Sequence, residues 1–247
     1  MSQLDFMEEQ KRRQKKQERI SNIIFYGLLV AFFIFFYVEY GPGNIPHAVS
    51  IEELPEYNGY PYAIINKNKP LFEAEELVAE EFEYYGELDY LGRCTYAMAC
   101  IGPDMMPTED RESIGHITPT GWVQVQYEGV IPGKNLYNRC HLISYQMTGE
   151  NGNERNLITG TWHLNMQGML PYENMVADYI RETGDHVLYR VTPIFEGNDL
   201  LARGVQMEAC SIEDYGEGVR FHVFIYNVQP GVVLDYATGE SMLLPEE

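Results

Sequence analysis

A polar N-terminal stretch gives way abruptly to sixteen residues without a charge, Ile23 to Val38, reading IIFYGLLVAFFIFFYV. As a helix this run would extend roughly 24 Å, a little short of a ~30 Å hydrocarbon core. Tyr26, Tyr37 and Tyr40 suit the two interfaces, and bulky Val38, Glu39 and Tyr40 stand where a signal peptide would need small residues. No polar face exists that would fit a core helix. The pattern predicts a single transmembrane helix over 23–40. Periodicity then disappears: Gly41, Pro42, Gly43, Pro46, Pro55 and Gly59 mark an irregular linker over 41–60, and the folded domain is expected over 61–247.

Within that domain YAIIN, before Lys67, reads as a strand. The segment FEAEELVAEEFEYYG (72–86) reads as an amphipathic helix, with Leu77, Val78, Phe82 and Tyr85 on one face and Gly86 as its stop. A second helix is expected from Pro171 to Thr183, where Met175, Val176, Tyr179 and Ile180 share a face and Gly184 ends it. Three strand-like runs come next, HVLYRVTPIF, LLARGVQMEAC and VRFHVFIYNV, separated by turns at EGND and EDYGEG. Their spacing predicts an antiparallel meander after the helix, hence an α+β fold rather than a doubly wound sheet. No Gly-rich phosphate loop of Walker or Rossmann type occurs.

Charge changes this picture at both ends. Residues 1–22 carry six basic and four acidic side chains, so the tail belongs on the cytoplasmic side of the anchor. The domain would then be extracytoplasmic, held at the cell membrane by one pass. The remaining 225 residues hold 11 basic and 33 acidic groups, and Glu52 to Asp89 alone holds eleven acids against two lysines. The whole chain of 247 residues has a formal net charge of −20, which argues against a protein that coats nucleic acid electrostatically. From Lys134 to Arg190, however, the count is five basic to six acidic, so that segment is nearly neutral. A composition of 45% hydrophobic and 22% charged residues excludes wholesale disorder. Cys94, Cys100, Cys140 and Cys210 form no CxxC pair, which disfavours a zinc finger; a disulfide and buried thiols both remain open.

Among six histidines, His47 falls in the linker, while His186 and His222 fall in expected strands. His141 differs. It follows Arg139 and precedes a polar loop with Asn151, Asn153 and Asn156, and Asn165 and Glu173 come downstream. Such a set could supply a base, a hard-metal ligand and a carboxylate that orients water. Because Gly168 and Pro171 lie between Asn165 and Glu173, a helix break is expected between them.

The stretch LYNRCHLISYQMTGENGNERNLITGTWHLNMQGMLPYENMVADYI closely resembles the DNA/RNA non-specific endonuclease family. The likeness is strongest to its bacterial branch of nucleases that act on incoming DNA. It continues through VLYRVTPIFEGNDLLARGVQMEA and FIYNVQPGVVLDYATGE, and upstream through YYGELDYLGR and SIGHITPTGW, covering roughly Pro61 to Glu240. The resemblance implies a ββα-metal nuclease fold with an antiparallel sheet and flanking helices. It implies hydrolysis of DNA, and of RNA, with little sequence preference. His141 matches the family's general base, and Asn165 the direct protein ligand of one Mg²⁺, with Mn²⁺ as the alternative ion. Glu173 matches the carboxylate holding metal-bound water. Asn156 matches an asparagine that orients the histidine or substrate, and Arg139 an arginine that contacts phosphate or supports its loop. The family's Asp-Arg-Gly-His reads Asn138-Arg139-Cys140-His141 here, and Gly160 stands where one branch has glutamine. Those departures motivate a competing expectation, a surface DNA-binding or uptake receptor with weak or no catalysis. A glycosidase reading rests only on the acid count, and no spacing singles out a carboxylate pair.

Overall fold

The structure, a computed structural model, describes residues 47–245 together with Ile24 and Gly27. The basic tail and, apart from those two positions, the expected transmembrane anchor lie outside the described residues. The chain divides into two compact units, Met1–Asn44 and Ile45–Glu247, and every strand among the described residues belongs to the second.

At the centre of this second unit is a six-stranded antiparallel sheet in the order β1-β8-β7-β6-β3-β2, built from β1 (Tyr62–Ile64), β2 (Phe82–Tyr85), β3 (Ala97–Ile101), β6 (Val187–Ile194), β7 (Gly204–Ser211) and β8 (Arg220–Tyr226). The expected meander is present as β6, β7 and β8. Alternation divides each strand between two faces. Val187, Tyr189, Val191, Val205, Met207, Ala209, Val223 and Ile225 point to one side and form the main core. Pro193 is tolerated in the long β6 because β3 pairs only with residues 187–191, so no ladder bond is lost to it on that side.

Onto the core face packs a second layer. It consists of a two-stranded ribbon, β4 (Tyr137–His141) with β5 (Leu157–Thr161), a short helix α1 (Tyr145–Thr148), and the helix α2 (Leu170–Thr183). Val176, Ala177 and Ile180 seat α2 against the sheet, whereas Met175, expected on that face, is exposed. Gly184 closes the helix in the left-handed conformation (φ 78°), its N–H reaching Ile180 O. A small third sheet, β9 (Val232–Leu234) with β10 (Ser241–Leu243), ends the described chain.

The opposite sheet face is buried too, with a polar centre among apolar residues such as Leu188 and Phe224. Arg190 and Glu208 form an ion pair at 2.9 Å with side chains 1% and 0% exposed. Glu208 also accepts the Leu71 N–H (2.7 Å), and Arg190 donates to Leu71 O (2.9 Å). Beside them Gln206 accepts from Val49 N–H (2.8 Å) and donates to His47 O (3.0 Å). These side chains act as a template for two extended N-terminal segments, which satisfies groups that burial would otherwise leave unpaired. Val49, Ile51 and Leu54 pack on Phe224 and Tyr226. The linker expected over 41–60 is therefore irregular from His47 on, but is laid against the sheet rather than free of it.

Two sequence expectations fail here. Residues 72–86 form no helix: a turn at 74–76 is followed by an extended path into β2, whose Phe82 to Tyr85 pair with Cys100 to Ala97 at the sheet edge. Leu77 and Val78 remain exposed, so an apolar helical face would have had no partner, while the β-prone FEYY found a strand to extend. The break expected between Asn165 and Glu173 is also absent. Leu164–Met169 is a π-helical turn running directly into α2, with the Leu170 N–H bonded to Asn165 O. The wide turn relieves the clash a proline ring at 171 would meet in regular α geometry. Gly168 serves close approach, since a Cβ there would lie 2.1 Å from Ile225 Cγ2.

Candidate active site

Ribbon and helix together shape a cleft of about 600 Å³ whose lining includes Arg111, Asn138, His141, Tyr145, Asn165 and Glu173. His141 ends β4, opposite Leu157, with only 6% of its surface exposed. Its Nε2 lies 2.9 Å from the Asn151 carbonyl, so Nε2 carries the hydrogen and Nδ1 holds the lone pair. Burial pushes the imidazole down to about 4; the nearby Arg111 guanidinium acts the same way and the Asn151 bond opposes both. The ring is therefore a neutral base at neutral pH.

Glu173, in the first turn of α2, is buried, and burial pushes its carboxyl up to about 8 against the pull of Arg111. No described residue, Arg111 included, donates a hydrogen bond to it. Asn165 sits on the π turn, its amide nitrogen facing Met166 Sδ at 3.5 Å and its oxygen left for the cleft. The structure thus brings His141, Asn165 and Glu173 to one cavity, as their chain positions suggested.

Asn156 does not join them. It is fully buried, its Oδ1 accepting the Ile143 N–H (2.8 Å) and its Nδ2 donating to Ile143 O (2.9 Å). It clamps the backbone two residues beyond His141 and so positions the base without reaching the cleft. Arg139 lines the cleft, but its guanidinium donates to Ile117 O and Gly115 O and stacks 4.1 Å over Trp122. Of its two expected roles, loop support is the one those contacts perform.

The departures from the family motif also find places. Gly160 pairs with Asn138 across the ribbon, and a Cβ at Gly160 would meet Cys140 Sγ at 2.5 Å and Leu164 Cδ2 at 2.6 Å. A thiol at position 140 and a missing side chain at 160 are thus matched in size. All four cysteines are free thiols, three of them buried.

Comparison with known proteins identifies the family. The family model described as DNA/RNA non-specific endonuclease matches residues 73–212, more than half of the chain. The chain belongs to the DNA/RNA non-specific endonuclease family. Among solved structures, NucA from Streptococcus agalactiae with no metal bound is 26% identical with a TM-score of 0.68, covering 79% of this chain and 92% of that one. NucA from the same organism with a magnesium ion bound is 26% identical, with a TM-score of 0.65 over 73% of this chain and 86% of that one. The Sda1 nuclease with a bound zinc ion, 24% identical, shares the fold at a TM-score of 0.63 over 81% of this chain and all of that one. The protein is accordingly an enzyme that hydrolyses nucleic acid.

Arg111 was not among the expected site residues of this nuclease, and Asn151 was named only as part of the polar loop, without its bond to His141. Arg111 lies thirty residues before His141 in the acidic run TEDRES, and its NH2 approaches His141 Nδ1 at 3.2 Å. Asn151 acts through a backbone carbonyl, which leaves no signal in residue type.

Proposed function

We propose that this nuclease is a membrane-anchored, extracytoplasmic, Mg²⁺-dependent endonuclease that cleaves DNA, and RNA by the same chemistry, with little sequence preference. The observation that carries the catalytic reading is a neutral His141 whose Nδ1 lone pair shares one cleft with Glu173 and Asn165. The anchor rests on the uncharged run at 23–38, and the outward orientation on the basic tail before it.

The donor set fits a hard divalent ion. Asn165 offers an amide oxygen and Glu173 a carboxyl without a protein partner, while no group of three His, Cys, Asp or Glu gathers among the described residues. Few protein ligands leave positions for water and phosphate, as Mg²⁺ prefers, and the NucA structure with magnesium is consistent with that choice. When bound, the ion supplies positive charge to the phosphate and the leaving oxygen. His141 takes the proton of the attacking water at Nδ1 while the Asn151 carbonyl holds the ring by its other nitrogen. Asn156 fixes the strand end that carries the ring, and Glu173 would hold water beside the ion when it is bound.

The acidic surface lowers the encounter rate with a polyanion without barring it, because the motif segment is nearly neutral. The test uses supercoiled plasmid with the full chain in detergent, with Mg²⁺, with EDTA, and with His141→Ala. Nicking is expected only for the unaltered protein with metal. Equal nicking by His141→Ala would overturn the assignment, and tight plasmid binding without turnover would favour the receptor reading.

A further inference from the structure

The one lone pair that His141 offers is already in use. Nε2–H faces the Asn151 carbonyl, and Nδ1 receives the Arg111 NH2 at 3.2 Å. A base capped in this way cannot accept a proton from water until the guanidinium moves. Arg111 is exposed and lies in residues 107–114, which form no regular element, so no helix or strand bond fixes its backbone. One side-chain bond from the body of the domain, Tyr145 OH to Glu109 O at 2.8 Å, holds that segment beside the cleft. Pro107 at its start packs against Gly149 and Gly115 at its end is held by Arg139, so both ends are fixed, while between them the Tyr145 bond and the Arg111–His141 contact are the side-chain ties to the domain. Glu109, Asp110 and Glu112 around Arg111 are all exposed.

We propose that Arg111 is a latch on the catalytic base, parked on His141 Nδ1 in the resting enzyme and drawn off by a phosphodiester. The inference rests on His141 being the base. An imidazole lone pair offers a guanidinium a single neutral acceptor, whereas a phosphate offers two charged oxygens in matching fork geometry. Substrate arrival therefore exchanges the weaker partner for the stronger and uncovers Nδ1 at the same moment. The three neighbouring carboxylates favour the parked state until that exchange, since they repel a phosphate that comes without a metal ion. Arg111 thus acts through His141 in the resting enzyme and on the phosphate once substrate is present.

The test reads the lone pair directly. Diethyl pyrocarbonate acylates an unprotonated, accessible imidazole nitrogen, and its attachment to each histidine of the full chain in detergent is followed by peptide mass spectrometry. Exposed His116 serves as the internal reference. Arg111→Ala should raise the His141 rate about fivefold or more relative to His116, as expected for loss of one charge-assisted hydrogen bond, and Arg111→Lys should fall between. Inorganic phosphate added to the unaltered protein should also accelerate labelling of His141. Equal rates for Arg111→Ala and the unaltered protein would overturn the latch, and so would protection of His141 by phosphate. Neither outcome depends on DNA cleavage, so failure here is distinguishable from failure of His141→Ala to abolish nicking.

Discussion

Metal affinity should depend on pH through Glu173, and the size of the dependence follows from its burial. With its carboxyl pushed up to about 8, the group is about 1% ionised at about pH 6 and half ionised at about pH 8. An ion bound against Glu173 must displace that proton, so apparent affinity should rise about fiftyfold between those conditions. An unperturbed carboxylate, already ionised at about pH 6, would give almost no change. The assay is calorimetric titration of the full chain with Mg²⁺ at about pH 6, 7 and 8. Running it in buffers of different ionisation enthalpy counts the protons released, and close to one per ion is expected at the lowest pH. Glu173→Gln should bind more weakly and show a flat profile. A flat profile for the unaltered protein, with no proton release, would refute the argument, because it would mean that the buried carboxylate is ionised before the metal ion binds.

Gly160→Ala should destabilise the fold by about 1–3 kcal/mol through overlap with Cys140 and Leu164, with part of the loss recovered in Cys140→Gly/Gly160→Ala; urea midpoints decide it, and an unchanged Gly160→Ala midpoint would contradict the size match. Asn156→Ala strands the Ile143 N–H and C=O in a buried place at about 1–3 kcal/mol each, so thermal stability should fall and kcat should drop more than KM changes. Acid should weaken the fold through His141. Its folded value near 4 lies below the unfolded one near 6.5, so the unfolded chain binds more protons between them, and about 3 kcal/mol is lost as pH falls through that window. His141→Gln should flatten melting temperatures over the same range, and parallel curves would exclude His141 as the cause.

Strong local periodicity made the meander and α2 legible in the sequence, because each buries a face whose spacing is written in a single segment. The run at 72–86 was not legible, since its periodicity was helical while its only available partner was the edge of β3. Gly168 and Pro171 carried the signal of a break, yet packing against Ile225 and a wide turn absorbed both. At the site, His141, Asn165 and Glu173 were singled out by the resemblance to the family, since their spacing alone is a weak signal, and of the two roles expected for Asn156 the buried clamp on Ile143 serves the histidine rather than the substrate. Arg111 left no trace, because a polar loop thirty residues upstream is joined to the base only by the fold.

The template of Gln206, Glu208 and Arg190 has a mechanical consequence. A pull on the chain upstream of His47 is borne first by the two hydrogen bonds of Gln206, on an interior strand of the sheet. Tension would thus enter at β7 rather than unzip the edge strand β1, and the bonds to Leu71 would take load only after the first pair gave way. Were the proposed N-terminal anchor to hold the domain while the long polymer it cuts tugged on it, the domain would resist at its centre.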